Sequence, residues 1–336
     1  MKFSDIERSI QAQFAVTNRV IPFILGAPGG GKSALAFKIG RDGLTINGEQ
    51  RKFDNVIEFN ASLRDVVDLM GTPRNSGEFT EWVPPKELYS LQTGFNLLVL
   101  EELSDAVTPM QNGLCGLCHE RRLNDLKLSP DTYIIATGNR TQDKSGANRI
   151  TTKLANRTRR FDFDENLDDW TAWALDAGID IMLIQFLRFK PNLLSDFVAD
   201  RFANPTPRAW EKVSLIPADL PTELFMENVA GDVGEGAAAE YTAFRKIAES
   251  LPNIDGLLMA PATADVPEDV AVLFALTGAL AQRTSKDNID RVIEYTNRLP
   301  VDFNVLFMND VIKMKPEVKT SRAFVSWAVK NASVLV

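Results

Sequence analysis

The sequence predicts an α/β protein with a mostly parallel five-stranded sheet followed by an all-helical region, and three observations lead there. Short β-rich runs alternate with helical stretches from residue 20 to about residue 165. A glycine-rich loop joins the first run to a helix. From about residue 166 onward the strand signals stop and helical periodicity takes over. Alternation of this kind implies crossover helices packed on a parallel sheet.

The runs are "VIPFIL", "NVIEFN", "LLVL", "YIIATG" and "RRFDF". The third continues as "LLVLEELSDA", four apolar residues and then Glu101 and Glu102. A continuous apolar run suits a strand covered on both faces, and its carboxyl end is where open α/β sheets bind ligands. The two glutamates also suit the first turn of a solvated helix, and this stretch alone leaves both readings open. Helical segments then follow, among them "LDDWTAWALDAG", "IMLIQFLRF", "PRAWEKVSLI" and "DVAVLFALTGALAQR". Turn residues in "FANPTP" and "LPNIDG" separate them, with no tandem repeat or low-complexity linker.

Composition narrows the function classes. The chain has 336 residues, 45% hydrophobic and 24% charged, enough for two or more cores. No apolar run approaches membrane-spanning length, and the start "MKFSDIERSIQAQF" lacks the apolar centre of a signal peptide, so membrane insertion is not expected and a cytoplasmic location is. The net charge of -8 disfavours a nucleic-acid surface over most of the protein and favours protein or nucleotide partners. "CGLCH" spells a haem-attachment pattern, but His119 is the only histidine and no second cysteine pair completes a zinc site. Cys115 and Cys118 share one face of a predicted helix and are read as core packing.

The strongest chemical signal is "GAPGGGKSA". It follows one predicted strand and opens a helix, the context that gives a P-loop match its meaning. Gly26, Ala27, Pro28, Gly29, Gly30, Gly31, Lys32, Ser33 and Ala34 form the expected phosphate-binding segment. Gly26 and Gly31 hold the spacing, while Gly29 and Gly30 let the backbone approach phosphate oxygens without a Cβ clash. Lys32 is expected to neutralise the β- and γ-phosphates, and Ser33 to place its hydroxyl on Mg2+. A hydrolytic P-loop protein also needs a second strand carrying a metal-side carboxylate and a water-activating base. Glu101 and Glu102 fit these jobs in order. Glu101 stands where aspartate is usual and is longer by a methylene. After Asn139, "NRTQD" lacks the Asn-Lys-x-Asp spacing of guanine recognition.

Together with "GAPGGGKSA" and "LLVLEELSDA", the segments "DLMGTPRNSGEFTEWVPPKEL", "HERRLNDLKLSPDTYIIATGNR", "KLANRTRRFDF" and "NPTPRAWEKVS" occur in an order that resembles the MoxR-like AAA+ ATPases, over nearly the whole chain. The resemblance implies a P-loop NTPase αβα sandwich at residues 1–165, a helical lid at 166–250 and a helical C-terminal extension at 251–336. It also implies ATP hydrolysis with Mg2+ in a homohexameric ring that remodels or matures a protein client, with a von Willebrand A domain protein as the partner class. By the same resemblance Asn139 matches the polar sensor of the attacking water or γ-phosphate. Arg157 matches the arginine finger that reaches a neighbouring subunit, with Arg159 and Arg160 beside it leaving the finger's identity open. Arg208 matches the lid arginine that contacts phosphate. "MGTPRNSGEFTEWVPPKEL" is expected to interrupt the second helix of the ATPase region, and "RRLNDLKLSPD" to form a hairpin before the Asn139 strand. Trp82 suits either a substrate-gripping aromatic or a residue that pins its loop. The rival functions are a nucleic-acid translocase or replication accessory, and a nucleotide-gated scaffold with little hydrolysis.

Overall fold

The structure, a computed structural model, describes residues 1–141 and 148–332. Gln142 and Asp143 of "NRTQD" lie outside the described residues, as do the last four residues of the 251–336 region. The chain divides into two units, Met1–Asn166 with Phe197–Asp200, and Leu167–Asp196 with Arg201–Val336.

The first unit is built on a five-stranded parallel sheet. Its strands are β1 (Ile21–Gly26), β2 (Asn55–Asn60), β3 (Asn96–Glu101), β4 (Thr132–Asn139) and β5 (Thr158–Asp162). They lie in the order β5-β1-β4-β3-β2. The apolar run of β3 suits its interior place in the sheet, since successive side chains point to opposite faces and both faces are covered. Leu97 and Val99 pack with Ile6, Ile10 and Phe14 of the helix Phe3–Val16, and with Leu35 and Ile39 of the helix Lys32–Asp42. Leu98 and Leu100 pack on the other face with Met110, Leu114 and Leu117 of the helix Thr108–Glu120. Each fully buried leucine of this kind contributes about 2 kcal/mol relative to exposure. The fold is therefore the P-loop αβα sandwich that the sequence predicts, and Glu101 closes a buried strand rather than opening a helix.

The two expected insertions are both formed. Short helices at Val66–Met70 and Lys86–Tyr89 flank an antiparallel hairpin of Thr72–Asn75 with Thr80–Val83. A second hairpin, Arg122–Leu123 with Leu126–Lys127, precedes β4. The Trp82 backbone N–H donates to Asp125 Oδ2 at 3.0 Å, and Asn124 Nδ2 donates to the Met70 carbonyl at 3.0 Å. The side chains of Asn124 and Asp125, at the turn of the second hairpin, thus hold backbone groups of the first insertion, while Trp82 remains 37% exposed. Cys115 and Cys118 are buried in the helix Thr108–Glu120, and desolvation pushes the Cys118 thiol up to about 12. An un-ionised thiol in that position is packing, not a nucleophile.

The second unit is helical. One apolar cluster takes in residues from Trp170 to Trp327, with Phe186, Trp210, Tyr241 and Phe244 among its aromatic members. Trp210 Nε1 donates to the Leu193 carbonyl at 2.6 Å. Asp310, 1% exposed, accepts from Nη1 and Nη2 of Arg188 and from Gln185 Nε2 at 2.9 Å, so both oxygens of its buried carboxyl are partnered. No helix among the described residues is long and apolar enough to cross a membrane.

Candidate active site

Strand order builds the site. Because β4 lies between β1 and β3, the ends of all three open side by side at the carboxyl edge of the sheet, where Gly26 is in register with Asn139 and Asn60 with Glu101. The loop after β1 turns through Gly29 at φ 74° and Gly31 at φ 108°, left-handed conformations that a side chain would strain. Gly31 is the N-cap of the helix Lys32–Asp42, so the unpaired N–H groups of that helix and its positive dipole end lie at the loop. Lys32, 8% exposed, donates from Nζ to the Gly26 carbonyl at 3.1 Å, the Ala27 carbonyl at 2.7 Å and Asn139 Oδ1 at 3.1 Å. A buried ammonium needs such acceptors, and phosphate oxygens are the stronger ones it would meet on nucleotide binding.

Ser33 Oγ donates to Glu101 Oε2. Glu101 is 6% exposed, and its second oxygen, Oε1, is buried without a hydrogen-bond partner of normal geometry. Burial holds the Glu101 carboxyl above its ordinary range, opposed by hydrogen bonding to Ser33 and Thr137 and reinforced by the charges of Glu58 and Glu102. A hydroxyl beside an under-satisfied carboxylate is an all-oxygen donor set that fits Mg2+. The raised value means that ionised Glu101 destabilises the fold. Its stabilising contribution is complete below the unfolded-state value of about 4.3 and is lost as pH rises through the higher folded value. Glu101→Gln is therefore expected to raise the melting temperature of the nucleotide-free protein at neutral pH, by about 2–4 °C for each kcal/mol of relieved desolvation. The same substitution should reduce the further stabilisation given by ATP with Mg2+. Thermal melts with and without both ligands check this, and a lowered melting temperature in their absence contradicts it.

Glu102 follows in a left-handed turn at φ 53°, unusual for a residue with a side chain. The turn is held by β4, since Leu103 N–H donates to the Thr137 carbonyl at 2.8 Å and Glu102 N–H to Thr137 Oγ1 at 3.4 Å. The Glu102 carboxylate accepts from Ser62 Oγ and from Asn60 Nδ2 at 3.4 Å. Both contacts fall on Oε2, at the end of β2. Asn60 and Ser62 were not singled out in the sequence.

Asn139 also has a partner that the sequence reading missed. Its Nδ2 donates to Asp105 Oδ2 at 2.8 Å, and its backbone N–H donates to Ser104 Oγ at 2.7 Å. Its neighbour Arg140 donates to the Phe163 carbonyl and pairs with Asp164 at 2.5 Å. Glu165, close to Asp164 in the chain, lies over the loop so closely that a Cβ at Gly30 would stand 2.0 Å from its Oε1. Burial raises the Glu165 carboxyl, while Lys32 and Arg140 pull it down.

Arg157, Arg159 and Arg160 are not at this edge. Arg157 precedes β5, and its carbonyl accepts from Ile21 N–H at 3.3 Å, at the start of β1 rather than its end. Since β1 and β5 are parallel, the length of β1 puts the Arg157 backbone about 17 Å from the P-loop of the same chain. Arg157 Nη1 donates to the Lys153 carbonyl at 2.5 Å. Arg159 and Arg160 lie on the exposed edge strand β5, where Arg160 pairs with Asp162 at 2.7 Å. Arg208 belongs to the second unit, exposed on the first turn of the helix Pro207–Val213, with Ala209 and Trp210 turned into that unit's core.

No family model matches the chain, and no curated protein matches it. Among solved structures it is similar to NtrX from Brucella abortus in complex with ATP, at 13% identity and a TM-score of 0.39, over 99% of this chain and 68% of that one. It is also similar to a RuvB mutant from Thermotoga maritima, at 14% identity and a TM-score of 0.39, over 82% of this chain and 79% of that one.

Proposed function

We propose that this chain is an ATPase of the AAA+ type, MoxR-like, that binds ATP with Mg2+ along Gly26 to Ala34 and hydrolyses it. The observation that carries the reading is the meeting of three strand ends at one edge, where Lys32 contacts Asn139 and Ser33 contacts Glu101. A chance glycine-rich turn has no reason to be matched by a sensor amide and a buried acid on neighbouring strands.

In this reading the loop N–H groups and Lys32 hold the β- and γ-phosphates, and Ser33 and Glu101 hold Mg2+, which when bound neutralises phosphate charge. Glu102, with Oε2 held by Ser62 and Asn60, takes a proton from the attacking water. Asn139 holds that water or the γ-phosphate. Arg157 completes the site of the adjacent subunit in a ring, most simply a homohexamer; its place at the start of β1, away from the P-loop, supports action on a neighbour's nucleotide rather than its own. Residues 166–250 act as the lid, which presents Arg208 to phosphate, and residues 251–336 extend it. The cycle remodels or matures a partner protein of the von Willebrand A domain class. Steady-state phosphate release with ATP and Mg2+ tests the reading. Release should rise more steeply than linearly with protein concentration until rings form. Constant activity per subunit down to monomer dilutions rejects the shared site, and no release at any concentration rejects the ATPase.

A further inference from the structure

The Asn139 amide sits between two groups of fixed hydrogen-bond character. On one side Lys32 Nζ, which can only donate, lies 3.1 Å from Oδ1. On the other Asp105 Oδ2, an acceptor when ionised, lies 2.8 Å from Nδ2. Asp105 is itself oriented, because Ser104 Oγ donates to its Oδ1 at 2.9 Å while accepting the Asn139 backbone N–H at 2.7 Å. Its backbone is tied in turn by Asp105 N–H to the Glu102 carbonyl at 2.9 Å and by Asn148 Nδ2 to the Asp105 carbonyl at 3.0 Å. A carboxamide has two edges of nearly equal shape, so only such neighbours decide which faces inward.

We propose that Asp105 is a positioning residue that fixes the orientation of the Asn139 amide, turning its oxygen toward Lys32 and the phosphate site. This rests on the ATPase reading above. When phosphate oxygens take Lys32, Asp105 still holds Nδ2, and Asn139 Oδ1 remains directed into the site as an acceptor. Phosphate oxygens are acceptors too, so the group that suits Oδ1 is a water carrying a proton to donate. Asn139 thereby holds the attacking water through its oxygen, and Asp105 acts on hydrolysis without touching nucleotide.

The test uses the full chain and three variants. Asp105→Asn keeps the shape but offers both a donor and an acceptor, so it no longer selects an edge. Asp105→Glu keeps an acceptor-only partner. Asn139→Ala removes the amide. Asp105→Asn should lower kcat by about ten- to a hundredfold, with ATP affinity unchanged. Asp105→Glu should recover part of the loss. The double variant Asp105→Asn with Asn139→Ala should be no slower than Asn139→Ala alone, since both changes act through one amide. In the nucleotide-free protein labelled at asparagine with nitrogen-15, the side-chain signal identified by its absence in Asn139→Ala should shift in Asp105→Asn and stay near its wild-type position in Asp105→Glu. Losses that multiply in the double variant overturn the proposal, as does a wild-type rate with an unmoved amide signal in Asp105→Asn. Should the wild type release no phosphate, the ATPase reading fails on its own and the amide signals alone decide the orientation.

Discussion

Arg157→Ala is expected to bind ATP as tightly as the wild type and to hydrolyse it about a thousandfold more slowly, the scale of an arginine finger. The guanidinium has no access to its own chain's phosphates, because Thr158 is in register with Ile21 and the P-loop begins only at the far end of β1. A loss of hydrolysis with binding intact therefore requires a second chain. Mixing Arg157→Ala with Lys32→Ala should restore part of the activity. In a mixed ring the intact loop of the first variant faces the intact finger of the second, which neither uniform ring offers. Arg159→Ala and Arg160→Ala belong in the same series, since both side chains are exposed on the same edge strand. Wild-type rates in all three variants contradict a shared site.

Glu102→Gln should keep nucleotide binding and lose turnover by about a hundred- to ten-thousandfold, the range for removing a general base. In the proposed reading Lys32 and the loop act on phosphate charge in both ground and transition states, whereas a base acts only in the second. The substitution is also mild for the fold, because a carboxamide oxygen still accepts from Ser62 and Asn60. A variant that binds ATP without releasing phosphate is the natural trap for a client, so pull-down with it and mass spectrometry identify the partner. Turnover by Glu102→Gln at the wild-type rate would move the base to another residue.

Much of this site was legible because local chemistry dictated it. "GAPGGGKS" carries its own reasons, namely glycines where the backbone turns left-handed and a lysine whose Nζ meets three acceptors, whereas the apolar run of β3 left a strand and a helix start both open until the P-loop called for a second strand bearing acids. Asp105, Asn60 and Ser62 were not legible in the same way. Their roles come from β4 lying between β1 and β3, and from β2 ending beside Glu101, which are facts of strand order rather than of any short segment. Two elements carried signals that went unread. Ile6, Ile10 and Phe14 recur at helical spacing and are buried along the helix Phe3–Val16. "TINGEQ" places Asn47 and Gly48 at φ 52° and 83° between Leu44–Ile46 and Glu49–Arg51, the Asn-Gly turn of a two-residue hairpin. The left-handed turn at Glu102 had no such signal, since neither glycine nor asparagine marks it.

The central claim is that the Lys32 loop is a working nucleotide site, and calorimetric titration with ATP and Mg2+ tests it most directly. The wild type should give a saturable heat that falls away when Mg2+ is withheld. Lys32→Ala should give none over the same concentrations, because the three acceptors gathered on Nζ mark the place where phosphate charge would be balanced. Binding of ATP by Lys32→Ala as tight as by the wild type would contradict the account at its root.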